Sequence, residues 1–368
     1  MAAAGRERRK PRHLLMANVD TSPYDSPHEH TDQPKPTHRV GIIVINGSNA
    51  IDFMGPNDAF HEANKSTASS IRYQVDLIGL QPGPIIGSSG IRTLPDKIIR
   101  PNLEAVYDTI LIAGTREFQP FEGDHLLLNW LSRNASSIRR ICATCTGTFT
   151  LASAGLLNGR RVATRHDHAK QFAKMYPHAL VEADRLFVRD GAYYTAVGGM
   201  AGIDLCLYLI ENDCGRATFL DVARMLFVFL RRPGTLPQVS EFLKAQSIQN
   251  TQISQVMDWA LDNLTADLSV EALAKRAAMS SRNFSRAFTD EMMTTPARFV
   301  ENIRVEAARI LLETTPLSIQ QIAHQVGFGN PANMRRAFIR AFQALPAEYR
   351  HSIERPEEHT ARPTLMKA

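Results

Sequence analysis

Leu268-Ser269-Val270-Glu271-Ala272-Leu273-Ala274, then Met279-Ser280-Ser281, then Phe284-Ser285-Arg286-Ala287-Phe288, is a unit that occurs twice. It returns as Leu317-Ser318-Ile319-Gln320-Gln321-Ile322-Ala323, Gly327-Phe328-Gly329 and Met334-Arg335-Arg336-Ala337-Phe338. Each copy spells a short helix, a tight turn and a second helix ending in Arg-Ala-Phe. A doubled helix-turn-helix implies two groove-reading elements at a fixed separation.

The boundaries of the second copy are written in its residues. Ser318 and Gln321 fit a capping box, in which each side chain takes up an unbonded amide at the helix start. Gly327 falls where the first helix must stop, and glycine accepts the left-handed conformation found there. Asn330 and Pro331 suit the cap and first turn of the next helix. In the first copy Ser269 is the expected cap, with Ser280 or Ser281 opening the second helix. Between the copies, Phe299, Val300, Ile303, Ala307, Ile310 and Leu311 recur at helical spacing. A helix over 295–313 spans roughly 27 Å at 1.5 Å per residue. As a rigid spacer it lets two reading helices enter successive major grooves, about 34 Å apart.

Charge agrees with this. Residues 314–347 hold no Asp or Glu but include His324, Arg335, Arg336 and Arg340. With Asn330 and Asn333, these make the second unit the expected phosphate anchor. The first unit offers Ser281, Arg282, Asn283 and Arg286 for base edges, since Arg bonds guanine and Asn adenine bidentately. An isolated basic helix is usually a solvated face; the repeat, caps and spacer argue for DNA contact instead. Residues 250–350 resemble the AraC/XylS-type DNA-binding domain. The resemblance is carried by Ile322-Ala323, Gly327-Phe328, Arg336-Ala337-Phe338 and Pro346-Ala347-Glu348-Tyr349-Arg350. Gln343 departs from it, standing where that family has glycine.

The chain has 368 residues, a formal charge of +5 and four cysteines. Such a length suits two domains with real cores. No apolar run reaches the ~18 residues of a membrane span, so no membrane partner is expected. Residues 1–36 are rich in Arg, Pro, Ser and His and are expected to be a disordered leader, because Leu14-Leu15-Met16 is too short for a signal-peptide core. The cysteines, without secretory context, are expected as free thiols in a bacterial cytoplasm.

Residues 37–232 have an α/β rhythm. Apolar runs at 40–45, 73–80, 109–113 and 139–144 suit buried parallel strands. Residues 186–188 and 193–195 flank Asp190-Gly191, a hairpin turn. Residues 203–210 and 219–230 are apolar enough to be helices packed on the sheet. A linker is expected at 233–250, the DNA-binding domain at 251–352 and a disordered tail at 353–368.

Ala143-Thr144-Cys145-Thr146-Gly147 places a nucleophile between small residues, as a strand-turn-helix elbow requires. The elbow is expected to put the Cys145 sulfur near a helix N-terminus, where the dipole favours thiolate. Amides at Thr146, and at Thr115 after Gly114, would then form an oxyanion site. A buried structural cysteine competes with this reading. Cys142 and Cys145 form a Cys-x-x-Cys, but Cys142 falls within the strand, unlike a redox pair that opens a helix. No second cysteine pair supports zinc, and neither metal nor cofactor is expected.

This block resembles the PfpI/ThiJ-type domain of the class I glutamine amidotransferase-like superfamily. The matching stretches are Ile51-Asp52-Phe53-Met54-Gly55-Pro56, Cys145-Thr146-Gly147, 151–157, Ala201-Gly202-Ile203-Asp204 and Arg231-Arg232-Pro233-Gly234. The implied fold is a flavodoxin-like parallel-sheet sandwich followed by an all-α double helix-turn-helix domain. The fusion is similar to the GlxA-type transcriptional regulators. The resemblance implies Cys145 as the elbow nucleophile, Asp52 beside it and His166 after Thr164-Arg165. Asp167 stands where that family has Trp, and Arg165 where a small or polar residue is common. Asp52 as a helix cap and His166 as a structural histidine are the plainer alternatives.

These readings give a DNA-binding transcriptional regulator, not an enzyme. Its N-terminal domain is expected to sense a small nitrogenous or amino-acid-like metabolite at Asp52, Gly114, Thr115, Cys145, Thr146 and His166. Duplex operator DNA, a second copy of the chain and RNA polymerase are the expected macromolecular partners. The alternatives are a cysteine-dependent hydrolase or hydratase and a redox sensor acting through Cys145.

Overall fold

The computed structural model of the chain describes residues 35–103, 106–116, 118, 125–228, 232–246, 248, 250–342 and 344–354. Nearly all of the expected leader, most of the tail, Arg231 and Gln343 lie outside the described residues.

The first half alternates strand and helix. In order come β1 (Thr37–Ile43), α1 (Ala50–Lys65), β2 (Arg72–Gly79), the short β3 (Ile85–Ile86), β4 (Arg92–Thr93) and β5 (Lys97–Ile98), then β6 (Thr109–Ile112) and α2 (Leu126–Asn134). There follow β7 (Arg140–Thr144), α3 (Gly147–Ser153), β8 (Arg161–Val162), α4 (His166–Met175), β9 (Leu180–Val181), β10 (Phe187–Asp190), β11 (Tyr193–Ala196) and α5 (Met200–Met225). Seven strands form one sheet in the order β10-β11-β7-β6-β1-β2-β5. All its neighbours are parallel except the β10–β11 hairpin, whose turn residue Gly191 has φ 61°. This is the flavodoxin-like sandwich that the sequence led us to expect.

The central strands are apolar along their whole length because both faces are covered. Every residue of β6 and β7 is buried. One face packs Val40 and Ile42 against Phe53 and Phe60 of α1 and Leu205 and Leu209 of α5. The other packs Ile43, Ile110 and Ile141 against Trp130, Phe149 and Phe172 of α2, α3 and α4. The two helices expected at 203–210 and 219–230 are the two arms of α5, which meet at the non-helical Gly215 (φ 79°, ψ 176°), the second ending at Met225. Glycine alone tolerates that backbone without strain.

A charged knot pins α5 to the strand starts. Arg140 and Asp213 approach to 2.5 Å with side chains 4% and 2% exposed. Arg140 also donates to Thr109 at 3.1 Å, and the Tyr73 hydroxyl donates to Asp213 at 3.0 Å. Buried charge is tolerable only when paired and hydrogen-bonded in this way.

The segment expected as a linker is fastened to the sheet edge. The Leu186 amide donates to the carbonyls of Gly234 (3.0 Å) and Leu236 (3.1 Å). A Cβ at Gly234 would meet the Phe187 carbonyl oxygen at 2.3 Å, so only glycine permits this approach. The same segment carries α6 (Glu241–Gln246), where the Glu241 amide donates to Glu306 at 2.9 Å.

The second half is all-helical: α7 (Thr251–Asp262), α8 (Val270–Arg276), α9 (Ser281–Met292), α10 (Pro296–Thr314), α11 (Ile319–Gln325), α12 (Pro331–Phe342) and α13 (Pro346–Glu354). The spacer is α10, 19 residues long, capped by Thr295 with Pro296 at its start. Its two halves serve separate cores. Phe299, Val300 and Ile303 pack with α7, α8 and α9; Val305, Ala308 and Leu312 pack with α11, α12 and α13. Among the described residues, no helix is long and apolar enough to cross a membrane.

Candidate functional site

The elbow forms where the strand-turn-helix pattern placed it. Cys145 sits between β7 and α3 with φ 51°, a left-handed conformation that costs a non-glycine residue energy. Crowding dictates its neighbours. A Cβ on Gly114 would lie 2.5 Å from the Cys145 Cβ, and one on Gly147 would lie 2.4 Å from the Ile112 carbonyl oxygen. A Cβ on Gly198 would fall 2.7 Å from the Cys145 Cβ and 2.9 Å from Asp52 Oδ1. Asp52 and Cys145 therefore meet across the bare backbone of Gly198.

Asp52 is fully buried in the first turn of α1. Its Oδ1 accepts the Gly199 amide at 2.6 Å and its Oδ2 accepts from Asn49 at 3.0 Å. Burial raises its pKa despite these bonds. It does not cap the helix, as the plainer reading had it, since Asn49 holds the cap position and the Asp52 carboxylate accepts no backbone amide of the helix start; it fixes the loop beside the sulfur instead.

The sulfur differs from expectation. Cys145 is 1% exposed, and burial, then the Asp52 charge, push its thiol up to about 11. The expected thiolate is absent near neutral pH, because desolvation outweighs the favourable Thr146 amide and Arg165. The Thr115 amide, expected in an oxyanion site, donates instead to Thr146 Oγ1 at 2.7 Å.

His166 begins α4 with its side chain exposed. The Cys145 sulfur donates to the Thr115 carbonyl at 3.6 Å, and the neighbouring positive charge that opposes the rise of its pKa is that of the residue before His166, Arg165. Arg165 also pairs with Asp167 through Nε–Oδ1 at 3.1 Å and through a second Nη2–Oδ2 contact. The two departures from the family pattern, Arg165 and Asp167, are thus each other's partners. Thr164 donates to the Cys145 carbonyl at 3.3 Å.

A cleft of about 720 Å³ opens on the other side of the elbow. Its polar lining includes Asn46, Ser88, Thr115, Arg116, His125 and Thr146. Of the residues expected to hold a ligand, Thr115 and Thr146 line it, whereas Asp52, Gly114, Cys145 and His166 do not. Sequence reasoning missed Arg116 and His125, which stand in no recognisable motif. All four cysteines are free, and Cys142 lies buried in β7 with its thiol pushed up to about 12 by burial. Among the described residues, no cluster of His, Cys, Asp and Glu is arranged to hold a metal.

The helical half presents two matched helices. Ser280 caps α9 and accepts the Asn283 amide at 3.3 Å; Asn330 accepts the Asn333 amide at 2.9 Å at the start of α12. The capping box at Ser318 and Gln321 is complete. Arg282, Asn283 and Arg286 of α9, and Arg335 and Arg336 of α12, are exposed, while Ser281 and Asn333 are half-buried. Arg340 is exposed as well, and ion-paired. It forms a two-pronged pair with Glu301 of α10, at 2.5 and 3.3 Å, so it braces α12 on the spacer. The acid-free stretch 314–347 acquires an acid from elsewhere in the chain.

Comparison with known proteins matches both halves. Residues 38–212 match the DJ-1/PfpI family and residues 273–352 match the helix-turn-helix domain family. The HTH-type transcriptional regulator CdhR of Pseudomonas aeruginosa is 28% identical over 84% of this chain and 90% of its own length. GlxA of Rhizobium meliloti, also an HTH-type transcriptional regulator, is 26% identical over 85% of this chain and 95% of its own. An HTH-type transcriptional regulator of Mycobacterium tuberculosis is 30% identical over 67% of this chain and 95% of its own.

Proposed function

The chain belongs to the HTH-type transcriptional regulators that join a DJ-1/PfpI domain to an AraC-type helix-turn-helix domain, and from that premise we propose that it reads DNA under the control of a small metabolite. The effector enters the cleft lined by Thr115, Arg116, His125 and Thr146. A nitrogenous or amino-acid-like molecule with a carboxylate suits it, because Arg116 offers positive charge among hydroxyls and amides, while His125, its pKa lowered by burial and its Nδ1 accepting the Leu127 amide at 3.3 Å, adds a neutral ring. The carrying observation is the closed elbow beside an open cleft. Cys145 is covered and protonated, while the space next to it is large enough for a metabolite.

Binding biases the placement of the helical half by favouring one arrangement over another. The working form is a cytoplasmic dimer on duplex DNA, positioned to meet RNA polymerase. Residues 37–232 act as the sensor, 233–250 as the connection and 251–352 as the reader. The hydrolase reading has less support. Turnover needs a thiolate with a base in reach; here burial holds the Cys145 thiol up, and the Asp52 oxygens accept from Gly199 and Asn49.

The test pairs DNA binding with a ligand screen. Full-length protein is titrated onto the DNA upstream of its own gene at several salt concentrations, with and without small amines and amino acids. Sequence-selective binding that falls steeply with salt and shifts with one class of compound is expected. Binding that no compound alters, together with turnover of amides or nitriles that is lost in Cys145→Ser, would reverse the assignment.

A further inference from the structure

The two reading helices share a device that sequence spacing alone does not show. In α9, Asn283 Oδ1 accepts Arg286 Nη2 at 3.1 Å. In α12, Asn333 Oδ1 accepts Arg336 Nη2 at 2.7 Å. Each asparagine is the third residue of its helix, its own amide held by the cap side chain of Ser280 or Asn330. Each arginine lies one turn on and is exposed. The same bond, between the same atoms, at the same helix position, occurs twice.

We propose that Asn283 and Asn333 are positioning residues that aim Arg286 and Arg336 as the base readers. The operator then carries the same guanine-containing core twice, one helical turn apart. This rests on reading α9 and α12 as the groove-entering helices.

The chemistry separates the roles. An asparagine that reads adenine needs both its oxygen and its NH2 on the base. Here both oxygens are committed to arginine. An arginine giving one Nη2–H to asparagine keeps four N–H donors, enough for the O6 and N7 of guanine. A held arginine also loses less rotamer freedom on binding. The neighbouring positions differ between the units: Arg282 corresponds to Ala332, and Ser285 to Arg335. The flanks of the two cores are therefore unlike, and the shared part is confined to what the Asn–Arg pairs reach.

The experiment is selection from random duplex DNA with the full-length chain and its variants. The wild type is expected to select two like cores with centres about 10 bp apart. Asn283→Ala and Asn333→Ala should each weaken binding about 5–10-fold, the worth of one solvent-exposed hydrogen bond. Each should relax the same guanine that Arg286→Ala or Arg336→Ala relaxes. Asn283→Asp keeps the acceptor oxygen and should keep the guanine preference, weakening all sequences alike through repulsion of phosphate. A purely structural role would lower the melting temperature and affect every sequence equally, which overturns the proposal. Unlike cores, or an Asn→Ala variant that relaxes a different base from its arginine, also overturn it. If no sequence is selected at all, the reading of α9 and α12 as groove-entering helices falls with it.

Discussion

Gln238 and His166 are joined across 72 residues of chain: the Gln238 side-chain oxygen accepts the His166 amide at 2.8 Å. The same side chain donates to the carbonyls of Thr164 (2.9 Å) and Ala183 (2.8 Å). Gln238 belongs to the segment that leads to α6 and the helical half. Thr164, on the other side of the bond, donates to the Cys145 carbonyl. One side chain therefore fastens the connection between the halves to the strap that covers the elbow.

Gln238→Ala should release that strap. Four backbone partners, Thr164, His166, Ala183 and Arg185, lose a bond, and solvent replaces part of what is lost, so the local opening free energy falls by about 1–2 kcal/mol. Hydrogen exchange is expected to quicken roughly 5–30-fold around residues 164–166 and 238–246. Amides of α9 and α12 should keep their wild-type rates. Unchanged exchange in the strap would show that Gln238 does not hold it.

Cys145 should behave as a reluctant thiol. Its pKa, pushed up to about 11 by burial and Asp52, leaves almost no thiolate at pH 7. For an acid whose pKa is raised, the protonated form persists to higher pH. Alkylation of Cys145 should thus climb only as pH approaches 11. Asp52→Asn removes the neighbouring negative charge and should move that profile to lower pH. Fast labelling at pH 7, unaffected by Asp52→Asn, would restore the expected thiolate and with it a catalytic or redox reading.

The legible parts of this chain were the local ones. Ser318 and Gln321 lie three residues apart, so their capping box is visible in sequence, as is the small-residue frame of Cys145. What lay hidden depends on long-range packing. Whether Arg165 or His166 faces the sulfur is set by how α4 docks. The partner of Arg340 on the spacer, Glu301, lies 39 residues earlier and is not legible in the spacing. The cleft residues Arg116 and His125 follow no spacing rule, and the Gln238 strap joins segments that no periodicity connects.

Arg335 and Arg340 should respond differently to salt. Both are exposed on α12, but Arg340 is paired with Glu301. If Arg335 meets a phosphate, Arg335→Ala should reduce the slope of log affinity against log salt by about 0.9. Arg340→Ala should leave the slope nearly unchanged while lowering the melting temperature through loss of the α10–α12 brace. Equal slope changes for both variants would return Arg340 to the DNA.

The turn residues Ala278 and Gly327 solve one problem with different chemistry. Both follow the first helix of their unit and both adopt the left-handed region, at φ 53° and 81°. Ala278 pays the steric cost of a Cβ there, about 1 kcal/mol, and its methyl is exposed, so little packing offsets that cost. Ala278→Gly should therefore stabilise the first unit by about 0.5–1 kcal/mol despite the added freedom of the unfolded chain. Gly327 has no such latitude, since a Cβ would lie 2.0 Å from the Leu264 carbonyl oxygen. Gly327→Ala must displace backbone and should cost several kcal/mol, within the range of severe single substitutions. Thermal melts of the full-length chain, followed by circular dichroism, should move in opposite directions for the two variants. A lower melting temperature for Ala278→Gly would mean that the methyl group packs in a way that outweighs its conformational strain.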